Sequence, residues 1–141
     1  DPRAAALSAN GGTTNTGVLL SVAGDQLEGE LAAAKGDTAE AIDALEAAVE
    51  KQDGIRYTEP PPWFMPTRQA LGAVLLQAGR AADAEAVYRD DLKHYPKNGW
   101  SLYGLAQALH AQGKATEAAA VENGFAQAWK YADVKLAASR F

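Results

Sequence analysis

Three glycines at repeat spacing constrain this chain more than any other feature. Gly79 and Gly113 are 34 residues apart, and each stands between two stretches whose apolar residues recur at helical intervals. In the middle copy, ALGAVLLQAGRAADAEAVYRDDLKHYP (70–96), Leu71, Gly72 and Leu75 share one face of a first helix. Ala84, Tyr88 and Leu92 stripe a second helix at steps of four. Apolar residues at that period mark the buried side of an amphipathic helix. Gly79 falls where a left-handed residue would close the first helix, a conformation glycine adopts without a Cβ clash. Gly72 and Ala84 are small enough to let two backbones cross closely, and Pro96 stops the second helix. The pattern returns as Leu105, Ala106, Leu109, Gly113 and Ala118, and upstream as Gly36, Ala41, Leu45 and Ala48. Gly36 precedes Gly79 by 43 residues, one period plus nine inserted residues. The spacing predicts an all-α chain of helix pairs, with helices near 17–35, 37–52, 66–78, 81–94, 98–112 and 115–131.

With Leu71, Gly72, Gly79, Ala84, Tyr88 and Pro96 at its motif positions, this arrangement resembles the tetratricopeptide repeat over roughly Val22 to Ala126. The EPPPWF segment, the repeat after it and NGWSLYGLAQAL also resemble the C-terminal part of longer bacterial proteins of that family, a likeness that supplies no activity. The resemblance implies a right-handed superhelix of three antiparallel helix pairs with a C-terminal capping tail. The repeats would cover about 18–52, 65–96 and 99–131, with the tail at 132–141, in one domain running from 17 to 141. Two positions depart from the pattern. The first copy lacks a large residue at the start of its first helix, and Glu122 stands where the family prefers a large apolar side chain.

Register is open in the first copy. Leu27 and Leu31 match Leu71 and Leu75 if the turn before Gly36 is one residue longer than its counterparts; counted straight back from Gly36, Gly29 matches Gly72. Asp37 with Glu40 three residues on reads as a capping-box-like pair, and Asp83 and Glu117 stand at the position of Glu40 in the other copies. The insertion DGIRYTEPPP (53–62) cannot continue a helix, because three successive prolines remove amide donors. Ile55, Tyr57, Trp63 and Phe64 then either fold back over the seam between the first and second copies or form a groove wall. Pro66 suits a first helical turn. The last helix is read as continuous through Gly124, because Val121, Phe125 and Trp129 carry its stripe across. Residues 1–16 offer little to bury and read as a flexible segment. Val134, Leu136 and Phe141 give the tail apolar surface with which to cover the end of the array.

Composition narrows the function. The chain has 141 residues, enough for one domain with a workable core. Its start at Asp1 and single Met65 suggest a piece of a larger protein. It has no cysteine, which removes disulfides, thiolate catalysis and cysteine zinc sites. A net charge of −5 argues against nucleic acid, whose binding depends on Lys and Arg at phosphates. The charge is uneven, −7 over residues 1–60 and +2 over 61–141. That split reads as solvated helix faces, or as an acidic first repeat orienting a basic partner. No apolar run approaches the roughly 18 residues of a membrane span, and no signal peptide is visible; a cytoplasmic location is favoured.

No catalytic, metal or cofactor site is expected. His94 and His110, the only two histidines, lie on different predicted helices without a metal-binding pattern, and Asp90 and Asp91 point to different faces. The resemblance instead implies a binding groove lined by the first helix of each pair. Its groove positions fall on Gln69 and Ala73, on Tyr103 and Gln107, and in the first copy on Asp25 or Gln26 and on Gly29 or Glu30. Leu76, Gln77, Trp100 and His110 are further candidates on that face, and Trp63 and Phe64 are candidates for its wall. The expected function is a non-enzymatic module that binds a protein or peptide. The alternatives are a structural or self-associating segment, including a homo-oligomer, and a regulatory segment of an enzyme whose catalytic part lies elsewhere.

Overall fold

The computed structural model describes residues 16–56, 58 and 60–140. Residues 1–15, Tyr57, Glu59 and Phe141 lie outside the described residues, and with them most of the expected flexible segment and two of the residues expected to cover apolar surface. Among the described residues there are six helices and no strand: α1 Thr16–Lys35, α2 Thr38–Asp53, α3 Thr67–Gln77, α4 Ala81–His94, α5 Gly99–Ala111 and α6 Ala115–Ala128. The fold is a tetratricopeptide-like helical repeat in which α1 packs against α2, α3 against α4, α4 against α5 and α5 against α6. The chain divides into two compact units, residues 1–67 and 68–141.

One turn closes the first helix of every pair. Gly36, Gly79 and Gly113 have φ of +88°, +74° and +74°. After each glycine, the next residue's N–H reaches back five residues: Asp37 to the Ala32 carbonyl, Arg80 to Leu75 and Lys114 to Leu109, at 2.9, 2.9 and 3.0 Å. These bonds satisfy carbonyls that the helix end would leave orphaned. The same geometry overturns the expected Asp37 cap. Asp37 has φ −80° and ψ 69° and makes no side-chain capping bond, because its backbone is committed to the turn and is not in the extended conformation that aims a capping oxygen. Asn98 is the side chain that caps, accepting from the N–H groups of Trp100 and Ser101 at 2.9 and 3.4 Å.

In the first unit, Gly29 takes the position of Gly72. A Cβ on Gly29 would meet Leu45 Cγ at 2.5 Å, so α1 crosses α2 at this glycine. The turn at Gly36 therefore has the same length as the others, and Leu27 and Leu31 leave the core, 61% and 51% exposed. Val22, Ala32, Ala41, Ile42, Leu45 and Ala48 form the core instead. Trp63 is half-buried and donates its indole N–H to Gln26 Oε1 at 3.3 Å. Phe64 does not fold back: it is 81% exposed, since its neighbour Trp63 takes the packed side and successive side chains of a non-helical segment diverge.

In the second unit, Tyr88 is the pivot. It is fully buried on α4, and its ring fills the space left by two glycines, Gly72 of α3 and Gly104 of α5. Leu71, Val74, Leu75, Ala84, Leu105, Ala108, Leu109 and Ala118 complete this core. Helix α6 runs through Gly124 and ends at Ala128, three residues before the expected boundary. An aromatic group holds it to α5: Trp129 stacks on Phe125 with centroids 5.6 Å apart and meets Trp100 edge-on at 5.7 Å, and a Cβ on Gly99 would strike the Trp129 ring at 2.2 Å.

Candidate functional site

The candidate site is a groove in the second unit whose open volume is about 340 Å³, and the tail of the chain forms one side of it. Its walls come from Ala73, Leu76 and Gln77 of α3 and from Tyr103, Gly104, Gln107 and Ala111 of α5, with Ala137, Ala138 and Ser139 of the tail on the remaining side. Successive lining residues on each helix are three or four apart, so each presents one face.

The tail reaches the groove by a turn after α6. The Trp129 indole N–H donates to the Val134 carbonyl at 2.7 Å, and residues 132–140 continue without helix. Val134 remains exposed, so it is not the anchor. The anchor is Ser139, only 3% exposed, whose hydroxyl donates to the backbone carbonyl of Gln69 at 3.0 Å. That donation uses the hydroxyl proton, so in its 2.5 Å contact the Tyr88 phenol is the donor to Ser139. Burial pushes the Tyr88 phenol up to about 12, which keeps it a protonated donor throughout the physiological range. Arg140 extends toward Gln77 Oε1 at 3.4 Å.

Beneath the groove lies a buried polar chain. Gln69, 9% exposed, donates its side-chain amide to Ser101 Oγ at 3.3 Å, and the Ser101 hydroxyl donates to Asp91 Oδ2. Asp91 is 1% exposed, and among the described residues its Oδ1 has no hydrogen-bond partner. Burial raises its carboxyl above the usual range, against the opposing Ser101 and Gln69 hydrogen bonds and the Arg68 and His94 charges.

A second electrostatic cluster joins α4 to the turn before α6. Glu85 accepts from Lys114 Nζ at 2.7 Å, Arg89 Nε at 2.7 Å and Gln112 Nε2 at 2.8 Å. The Lys114 bond, then the Arg89 bond, hold its carboxyl at about 2 against an ordinary 4.5. Because the folded state releases this proton more readily than the unfolded chain, the stabilisation is complete above the ordinary carboxylate range and is lost as pH falls through about 4.5 toward 2. Urea midpoints measured down that range should fall more steeply for the natural chain than for Glu85→Gln.

The candidates read from sequence are thus distributed unevenly. Ala73, Leu76, Tyr103 and Gln107 meet at the groove, and Gln69 lies at its base through its carbonyl. Trp100 packs on Trp129, and His110 Nε2 pairs with Glu122 Oε1 at 2.8 Å, so neither lines the groove. Tyr103 lines it while also packing on Phe125, with centroids 5.7 Å apart. Gln26 is buried under Trp63 and Glu30 is half-buried, both in the first unit with Trp63 and Phe64. Sequence reading missed Ser139 as a groove residue, and Tyr88 as its buried partner. A serine anchored 70 residues from its partner leaves no periodic mark.

Repeated left-handed turns, helix pairs and small crossing residues make this a helical-repeat protein. Residues 75–121 match the family model for the tetratricopeptide repeat, a family of helical modules of the protein-interaction kind. No curated protein and no solved structure matches the chain. Among the described residues no helix is long and apolar enough to cross a membrane, and no group of three or more His, Asp or Glu side chains could hold a metal ion.

Proposed function

We propose that the second unit is a non-enzymatic module that binds a non-helical protein segment in the groove between α3 and α5. One observation carries this reading: a non-helical segment, residues 137–140, already lies there with a buried hydroxyl bonded at both ends. Tyr103 offers area at little entropic cost, and exposed Gln107 and Gln77 offer amide groups to a peptide backbone. Selection of displayed peptides on the full chain tests it. Tyr103→Ala with Gln107→Ala should weaken the selected peptides by about 1–3 kcal/mol with helicity unchanged. Binding at full strength by a folded double variant would place the site elsewhere.

The first unit favours a second role by its own observation. Leu20, Leu27 and Leu31 are exposed on α1, and Leu27 and Leu31 line a shallow groove there with Gly24, Ala32 and the charged Glu28, Lys35 and Glu40. This face supports a structural reading in which the unit packs against another protein surface. If that surface is a second copy, sedimentation should show a dimer that Leu27→Glu with Leu31→Glu converts to monomer. A chain that sediments as a monomer at all concentrations rules out self-association.

A further inference from the structure

We infer that the tail is a resident ligand of the groove, and that the groove selects external segments of the tail's own chemistry: a serine followed by a basic residue. The inference rests on the peptide-binding reading above and adds both the ligand's sequence character and its competition with residues 137–140.

Ala137 is exposed and Ala138 half-buried beside the groove's open volume, so the selection falls on the two residues that follow them. At the next position, one hydroxyl satisfies two buried groups, accepting from Tyr88 and donating to the Gln69 carbonyl. Alanine there would leave both unsatisfied in a site where Ser139 is 3% exposed. A carbonyl or carboxylate could accept from Tyr88 but could not donate to Gln69, so a hydroxyl is selected over either. The basic residue then finds Gln77 Oε1 at the groove's rim.

Occupancy by the tail is suited to exchange. The segment contributes no helix, and its contacts are a few hydrogen bonds and small apolar surfaces. When it leaves, water can reach Tyr88 and the Gln69 carbonyl. Tethering gives the tail an effective concentration on the order of 1 mM, so an external segment with an intrinsic Kd on the order of 100 μM would be weakened about tenfold. The groove is thereby shielded from weak ligands and open to a partner that brings further contacts.

The test uses the full chain and the variant Ser139→Asp, whose carboxylate cannot donate to Gln69. The probe is a fluorescein-labelled peptide with the sequence of residues 132–140. In the natural chain, backbone relaxation should show residues 137–140 as rigid as the helices; in Ser139→Asp they should be mobile, with helicity unchanged. The variant should bind the peptide about tenfold more tightly than the natural chain, and a peptide with alanine at the serine position about tenfold more weakly. Ser139→Gly, which deletes the hydroxyl without adding charge, repeats the comparison if the aspartate lowers helicity. Mobile residues 137–140 in the natural chain would overturn the inference, as would an equally rigid tail in both variants. A released tail with no binding of the peptide would overturn it too. In each of these cases, peptides selected by display and lost on Tyr103→Ala with Gln107→Ala would leave the groove reading standing, and their absence would remove both.

Discussion

Tyr88→Ala should cost about 3–5 kcal/mol, a large share of what a small domain possesses. The side chain is fully buried, and it is the common neighbour of three segments. Its ring fills the space at Gly72 and at Gly104, and its hydroxyl holds Ser139. Alanine would leave a cavity lined by two glycines that have no side chain with which to fill it. It would also remove the donor to Ser139, so the tail should loosen along with the core. Tyr88→Phe separates the effects: it keeps the ring and should cost about 1 kcal/mol, mostly in tail anchoring. Chemical denaturation of the three chains measures this. A Tyr88→Ala chain as stable as the natural one would mean that the ring is not the pivot of the second unit.

Gly104→Ala should be nearly as damaging, although alanine is the better helix former by up to about 1 kcal/mol. A Cβ there would lie 2.2 Å from the Tyr88 ring, far inside contact distance. A ring with free space could swing aside. This one also meets the Gly72 position at 2.4 Å and is fully buried, so it has little room to move. Overpacking of this kind costs about 1–3 kcal/mol or more after subtracting the propensity gain. Combining Gly104→Ala with Tyr88→Leu should cost less than the sum of the two single changes, because the smaller side chain yields the space that the methyl needs. Strict additivity in that cycle would show that the two residues do not touch.

The sequence carried the fold where the physics is local and periodic. Gly36, Gly79 and Gly113 announced their turns because positive φ excludes most other residues, and the leucine and alanine stripes placed all six helices to within a few residues. Tyr88 was legible as a core position, but not as the filler between two glycines, since that needs the relative depth of three helices. In α1 the pattern left two registers open, and the structure takes the one with Gly29 at the crossing, because Leu27 and Leu31 are apolar and helically spaced yet face outward. Hydrophobicity marks a face without saying what covers it. The groove was half legible: positions flanking the motif leucine gave Ala73, Tyr103 and Gln107, whereas Trp100 and His110 share their helix but turn toward α6. The tail's seat was invisible, because a single serine in an irregular segment has no period to read.

Amide resonance mapping of the full chain, titrated with a peptide selected by display, tests the central claim most directly. The groove account predicts shifts concentrated at Ala73, Leu76, Gln77, Tyr103, Gln107 and Ala111, accompanied by the release of residues 137–140. Shifts confined to α1 and α2, or to the His110 and Glu122 face with the tail unmoved, would contradict it.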